Sequence, residues 1–211
     1  MARNIGPQCR LCRQEETKLY LKGDRCKSDK CPITRRRGKP GEGLRARNKK
    51  ASDYSVQLRE KQKVKRLYGM LERQFHIFFT RARRMKGVTG ENLLVMLERR
   101  LDNMVYRMHF APSRKAARQL VLHGHVQVNG KKVGIPSYLV GEGDEIDIRE
   151  PAKKNVAVKE SLKEYSRSGV SPWLEVDPDR LWGKVRAVPR RADIADLADI
   201  NEQLIVELYS K

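Results

Sequence analysis

Residues 113–132, SRKAARQLVLHGHVQVNGKK, constrain the fold more than any other stretch, because they prescribe a helix, a stop and a hairpin in quick succession. Ser113 follows Pro112 and offers its hydroxyl as a helix cap. Ala116, Ala117, Leu120 and Val121 recur at helical spacing on one side, and Arg114, Lys115, Arg118 and Gln119 fall on the other. Leu122 stands out on the polar side. Gly124 reads as a left-handed helix stop. Val126 and Val128 then alternate with polar residues, and Asn129-Gly130 is a two-residue hairpin signal. With 39% hydrophobic and 34% charged residues, a core is feasible only if it is divided among small units.

The flanks supply those units. Ser52-Asp53 starts a helix that Gly69 ends, and a second helix runs through LERQFHIFFTRARRMK to Gly87. Phe75, Ile77, Phe78 and Phe79 with Leu71 suggest its buried side. A third helix, capped by Thr89, carries the strongest periodicity of the chain: Leu93, Leu97, Leu101, Met104, Val105 and Met108. After the hairpin, Ile146 and Ile148 alternate like a strand, residues 153–168 suit a helix, and 173–177 and 180–189 are further strands. The C-terminal DINEQLIVELYSK is a short apolar segment, helix or strand. The fold class expected is α+β: a mostly helical N-terminal part and a second module with a small antiparallel sheet.

Charge is unevenly placed. The chain of 211 residues carries a net +20; residues 1–100 hold 28 Lys and Arg against 10 Asp and Glu, a net +18, while residues 101–211 hold +2. A concentrated positive field of this kind suits a polyanion. A membrane surface is disfavoured, because no long basic helix has bulky aromatics on its opposite face. No apolar run approaches the roughly 18 residues that span a bilayer. The N-terminal MARNIGPQC lacks the apolar core of a signal peptide, so a cytosolic protein is expected. There is no P-loop, dinucleotide fingerprint, nucleophile elbow or H-E-x-x-H. Glu98 and Asp102 lie one helical turn apart, and a surface pairing with Arg99 explains the carboxylates better than acid–base work. No catalytic residue, and no enzyme, is expected.

Cys9-x2-Cys12 and Cys26-x4-Cys31 form two close pairs near the N-terminus. Two such knuckles complete a tetrahedral four-thiolate site that leaves no position for water, so its role is structural. Zinc is the expected occupant; an iron–sulfur cluster uses the same ligand set, and two disulfides are disfavoured without a secretory route. Metal would stabilise a segment too poor in bulky apolar residues to fold alone.

The nucleic-acid contacts expected fall into four groups. Arg3, Arg10, Arg13, Lys22 and Arg25 interleave with the cysteines. Arg35, Arg36, Arg37, Arg45, Arg47, Lys49 and Lys50 form an arginine-rich arm, without bulky apolar residues, that neutralises phosphates. The two helices that follow contribute Ser52, Tyr54, Arg59, Lys61, Lys63, Lys65, Arg66 and Tyr68, then Arg73, Arg81, Arg83, Arg84 and Lys86. For Tyr54 and Tyr68, stacking on bases and packing in a helical core remain equal alternatives. In the helix–hairpin unit the contacts are Ser113, Arg114, Lys115, Arg118, Gln119, His123 and His125, with Arg114 and Arg118 one turn apart to straddle phosphates. His123 and His125 bracket Gly124, and they donate to RNA or merely flank a turn.

Taken in order, ARNIGPQCRLCR, the four cysteines, SDYSVQLREKQKVKRLYG, ERQF, LERRLDNMVYR, SRKAARQLVLHGHVQVNGKKV, PSYLV, GDEI and NEQLIVELYS make the chain resemble, along its length, the bacterial small-subunit ribosomal protein S-four family (universal uS-four). The resemblance implies residues 1–92 as an N-terminal metal-binding and helical rRNA-binding domain, on which the tail 198–211 packs. It implies an inserted domain at 93–197 that contains the S-four RNA-binding module, core about 98–150. It further implies direct binding to a multi-helix junction of small-subunit rRNA, nucleation of subunit assembly, ribosomal protein S-five as neighbour, mRNA near the entry channel, and support of decoding accuracy. Some family members lack the cysteines, so metal binding rests on this sequence. An RNA-modifying enzyme carrying the same module would need a catalytic domain, for which no residues remain.

Overall fold

The computed structural model describes residues 4–35, 38–41 and 50–210. In chain order the elements are α1 (Gln8–Glu15), α2 (Asp24–Lys27), α3 (Asp53–Leu67), α4 (Glu72–Arg84), α5 (Thr89–Glu98), α6 (Leu101–Arg107), α7 (Arg114–Leu122), β1 (Val126–Val128), β2 (Lys131–Lys132), β3 (Glu145–Ile148), α8 (Glu150–Lys153), α9 (Val156–Ser168), β4 (Leu174–Asp177), β5 (Trp182–Val185) and α10 (Glu202–Ser210). They form two compact units, Met1–Leu93 with Asp196–Lys211, and Leu94–Ala195. The fold is therefore mixed, helical with one small antiparallel sheet.

In the first unit, Ser52 caps α3 by accepting from the Ser55 N–H at 3.3 Å. Phe75, Phe78, Phe79 and Ala82 of α4 recur at helical steps and are buried. Ile77 and Leu71, expected on that buried side, are 37% and 36% exposed instead, because Ile77 lies two residues, about 200°, round the helix from Phe75. The C-terminal segment is helical as α10 and lies against α3. The Tyr209 ring sits 4.5 Å from Phe79 and its hydroxyl donates to Glu72 Oε1 at 2.8 Å. Gln57 Nε2 donates to Glu207 Oε2 at 3.0 Å, and the Asn201 N–H donates to Glu60 Oε2 at 3.3 Å.

Glu72 gathers Lys61 at 2.6 Å, Lys65 at 2.7 Å and the Tyr209 hydroxyl. Burial pushes its carboxyl up, but the hydrogen bonds from Lys61, Lys65 and Tyr209 outweigh this and hold it at about 2. A carboxylate held below its ordinary value stabilises fully above that ordinary value and loses the contribution as pH falls toward the depressed one. We predict that α10 docking weakens between about pH 4.5 and pH 2. Following Tyr209 fluorescence through an acid titration checks this. Glu72→Gln should remove that acid leg, and an unchanged titration in the variant would refute the assignment.

In the second unit, five antiparallel strands run in the order β2-β1-β3-β5-β4. Val126 pairs with Ile148 and Val128 with Ile146, so the apolar residues of β1 and β3 share one buried face. They pack with Leu101, Met104, Val105, Met108, Phe110 and Val121 in one core. α7 ends as its sequence prescribes: the Gly124 N–H donates to Val121 O at 2.9 Å, the His125 N–H to Leu120 O at 3.0 Å, and Gly124 has φ +70°. Asn129 and Gly130 both take positive φ in the hairpin turn.

The long helix expected from Leu93 to Met108 is two helices, α5 and α6, interrupted at Arg99-Arg100. The interruption is strand-like. Arg100 bridges Leu139, the Val140 N–H donates to Arg99 O at 2.9 Å, and the Leu101 and Asp102 N–H groups donate to Tyr138 O and Pro136 O at 2.8 and 3.2 Å. The first amides of α6, which a helix cannot satisfy internally, thus find carbonyls from a distant segment. Hydrophobic periodicity survives the break because both helices face the interior, which is why the sequence reads as continuous.

Candidate nucleic-acid interface

The basic residues of the first unit sort into two classes. On α3 every predicted contact cation meets a carboxylate. Arg59 reaches Glu15 Oε1 at 3.2 Å and Arg66 bonds the same oxygen; Lys61 and Lys65 hold Glu72; Lys63 pairs with Glu60. Glu15, on α1, is fully buried; burial pushes its carboxyl up, against the pull of Arg66 and Arg59. Burial pushes Arg66 down, resisted by Glu15. On α4 the opposite holds. Arg73, Arg81, Arg83 and Arg84, with Lys86 just past its end, are all exposed, and among the described residues none of them stands in an ion pair. Arg73, Ile77, Arg81 and Arg84 recur at steps of three and four on the side away from Phe75, Phe78 and Phe79. That stripe spans about 17 Å of helix.

The helix–hairpin unit departs from the expected amphipathicity. Arg114 and Arg118 are 8% and 7% exposed, on the buried side with Ala117 and Val121, whereas Lys115 and Gln119 face solvent. Arg114 Nε donates to Asn103 Oδ1 at 2.8 Å and its guanidinium lies 4.5 Å over the Tyr106 ring. Arg118 Nη1 donates to Asp102 Oδ2 at 3.1 Å. Asp102 also takes a fork from Arg100, Nε to Oδ1 at 3.0 Å and Nη2 to Oδ2 at 2.6 Å. Glu98 is likewise buried, and binds Arg107 through two bonds of 2.8 and 2.9 Å and Asn103 at 2.7 Å. The surface role expected for Glu98 and Asp102 is thus corrected, as is Arg99 as partner, since Arg99 Nε donates to Val140 O instead. Charged α6 partners draw the α7 arginines inward, because a buried guanidinium is tolerated only beside an acceptor.

Among the other predicted contacts of this unit, Ser113 is buried and caps α7 through Ala116 N–H at 3.3 Å. His123 is exposed, His125 half-buried, and their rings are 6.0 Å apart. They edge a cleft of about 240 Å³ with Gln119, Phe110, Leu120 and Val158.

In the N-terminal segment Cys12, Cys26 and Cys31 are buried and Cys9 is half-buried, all as free thiols. Among the described residues no three His, Cys, Asp or Glu side chains stand as a formed metal cluster. The segment nonetheless fits such an occupant. The Lys22 N–H donates to Cys26 Sγ at 3.3 Å, the Leu19 N–H bonds Cys12, and the Ile33 and Thr34 N–H groups bond Cys31. Backbone donors aimed at sulfur favour thiolates, the form a metal binds. Burial pushes Cys12 up, and the charges of Cys26, Cys9 and Cys31 push it the same way; for Cys31, burial is outweighed by those N–H groups, the Thr34 hydroxyl and Lys18. Arg10, Lys22, Arg25 and Arg35 are exposed around these thiols and Arg13 is half-buried.

Comparison with known proteins matches residues 3–98 to the ribosomal protein S4/S9 N-terminal domain and residues 99–146 to the S4 domain. Small ribosomal subunit protein uS4 of Trichlorobacter lovleyi is 59% identical over all 211 residues, and those of Geotalea daltonii and a Thermoanaerobacter species are 58% and 57% identical, each pair of chains being covered in full. The chain belongs to the uS4 family. As a uS4 member it is a structural, non-enzymatic protein. The uS4 domain division at residues 98 and 99 coincides with the strand-like break between α5 and α6.

Of the remaining uS4 candidates, Tyr54 is 59% exposed, Tyr68 is buried in the helical core, and Lys50 is exposed. Arg3, Arg36, Arg37, Arg45, Arg47 and Lys49 lie outside the described residues. Sequence reasoning missed Glu15, Glu72 and Asp102 as the acceptors that hold the buried cations. The available signal was weak: lone acidic residues in strongly basic surroundings.

Proposed function

We propose that this chain is a structural constituent of the small ribosomal subunit that binds small-subunit rRNA directly. The observation that carries the reading is the cationic face of α4 and the turn after it, five exposed basic residues that stand in no ion pair among the described residues, beside an α3 whose cations are neutralised internally. Such a face suits a phosphate backbone and little else. In the second unit, Lys115, Gln119, His123 and His125 are the exposed or half-buried groups of α7 and its stop, and they offer donors to RNA shape and 2′-hydroxyls. The same reading makes the protein cytoplasmic, an early nucleator of the subunit body, a neighbour of ribosomal protein S-five and of mRNA near the entry channel, and a support of decoding accuracy. Footprinting the full chain on naked small-subunit rRNA tests it: protection confined to one multi-helix junction is expected, and equal binding to any duplex would overturn it.

The four cysteines belong to the proposal as a structural zinc site, Cys9, Cys12, Cys26 and Cys31, with an iron–sulfur cluster as the alternative occupant. Its support is the set of backbone N–H groups aimed at three of the sulfurs. Bound zinc would cross-link the two knuckles and supply no chemistry beyond that. We predict that a chelator, or Cys26→Ser, releases one metal per chain and opens residues 4–35 to hydrogen exchange while α3, α4 and α10 stay protected. Metal analysis of the purified chain with exchange mass spectrometry reads both effects; a metal-free chain with a protected segment would refute the site.

A further inference from the structure

Two guanidinium groups of the first unit share a single buried carboxylate, which leaves one positive charge over. Glu15 Oε1 takes Arg59 at 3.2 Å and Arg66 as well, and among the described residues neither arginine pairs with another carboxylate. Lys63 and Glu60 also face Glu15, but they pair with each other and cancel. The Glu15 side chain is fully buried and that of Arg66 is 15% exposed, so water screens the surplus only weakly. Cys12 stands beside this cluster. Cys12 and Glu15 are the buried residues of α1, three positions apart and so on one face. That face meets α3, which brings the Arg66 guanidinium within electrostatic reach of the Cys12 sulfur. Glu16, at φ +57°, ends α1 and turns the chain so that the Leu19 N–H returns to the same sulfur.

We propose that Arg66, helped by Arg59, is the counter-cation of the four-cysteine centre, a positioning residue that balances the charge the cysteines carry when they hold a metal. The proposal rests on the four-thiolate reading and gives a role in it to residues that are not ligands. Four thiolates around one divalent ion leave two net negative charges. Burying such a charge is costly unless an opposite charge lies close by. The cation left over at Glu15 meets that need beside Cys12, and the thiolates in turn complete the neutralisation of α3. Guanidinium suits the place because it stays charged when buried and is more weakly hydrated than an ammonium. Glu15 has the second role of anchoring: it holds both guanidinium groups on the face of α1 that carries Cys12. Groups just outside a metal's ligands typically change its affinity by about 10- to 100-fold when removed.

The test compares Arg66→Gln and Arg66→Lys in the full chain loaded with zinc, by competition against a chromogenic chelator. Glutamine keeps a donor for Glu15 and loses the charge; lysine keeps the charge and loses the fork. We expect zinc affinity to fall about 10- to 100-fold in the glutamine variant and to stay within about threefold of the parent in the lysine variant. Thermal melts of the metal-free chains check that each variant folds. Should Arg66→Gln fail to fold, Arg59→Gln removes the same unit of charge from a side chain that is 33% exposed, and a smaller loss in the same direction is expected. Parental affinity in the folded glutamine variant would overturn the counter-cation while leaving the zinc site standing. Equal losses with glutamine and lysine would make Arg66 a hydrogen-bonded tether, and the charge assignment would fall. If the parent chain itself binds no metal, both readings fail together.

Discussion

Asp102→Ala is expected to destabilise the second unit by about 3–5 kcal/mol, because it removes the carboxylate that two buried guanidinium groups share. Asp102, Arg100 and Arg118 side chains are 6%, 2% and 9% exposed, and the carboxylate accepts from both guanidinium groups. The large term is the loss of the acidic counter-charge to two buried guanidinium groups, since removing one member of a buried ion-pair cluster costs far more than the cluster contributes. Replacing all three by apolar residues of similar size, Arg100→Met with Asp102→Leu and Arg118→Met, should therefore recover most of the loss. Denaturant unfolding followed by Trp173 and Trp182 fluorescence measures it, both tryptophans lying in that unit. A loss below about 1 kcal/mol in the single variant would mean the cluster is wetter than its burial implies. The same logic changes what an Arg118→Ala experiment means: weaker RNA binding there would report a damaged fold before it reported a lost phosphate contact.

Neutralising the exposed face of α4 and the lysine just past its end, with Arg73, Arg81, Arg83, Arg84 and Lys86 all changed to glutamine, is expected to weaken rRNA binding about a thousandfold near 0.15 M salt. Counterion release alone makes each phosphate contact worth roughly four- to fivefold at that ionic strength, and five contacts multiply. Glutamine is a good helix former, and the five side chains are exposed, so folding should be preserved. The matching change on α3, Lys61, Lys63 and Lys65 to glutamine, should act the other way round. It removes the partners of Glu60 and Glu72, lowering stability, and costs little affinity. Salt-dependent binding curves with parallel thermal melts separate the two outcomes. If α3 neutralisation cost more affinity than α4 neutralisation, the division between paired and unpaired cations would be wrong.

Much of this was legible before any coordinates. The Ser113 cap, the Gly124 stop and the Asn129-Gly130 turn are local devices, each decided within five residues, and all stand where the sequence puts them. The strands at Ile146 and Ile148, and after Trp173 and Leu181, follow from alternation. Two local readings failed for reasons that are not local. The helix through Leu93 to Met108 breaks because carbonyls at 136 and 138 satisfy the amides that open α6. The α7 arginines turn inward because α6 offers Asp102 and Asn103. Counting charge could locate the positive half but could not say which cations remain available.

The sequence by itself determined most of the element types, the turns, the spacing of the two cysteine pairs and the concentration of charge in residues 1–100. These depend on spacing along the chain, on backbone preferences and on composition. Only the tertiary structure decided the fate of each cation. Arg66 and Arg59 meet a glutamate of α1, Lys61 and Lys65 meet one that opens α4, and Arg118 meets an aspartate of α6, while the basic residues on the outer side of α4 meet none among the described residues. The physical reason is that an ion pair needs contact within a few ångströms, and contact between helices is set by how their apolar faces pack.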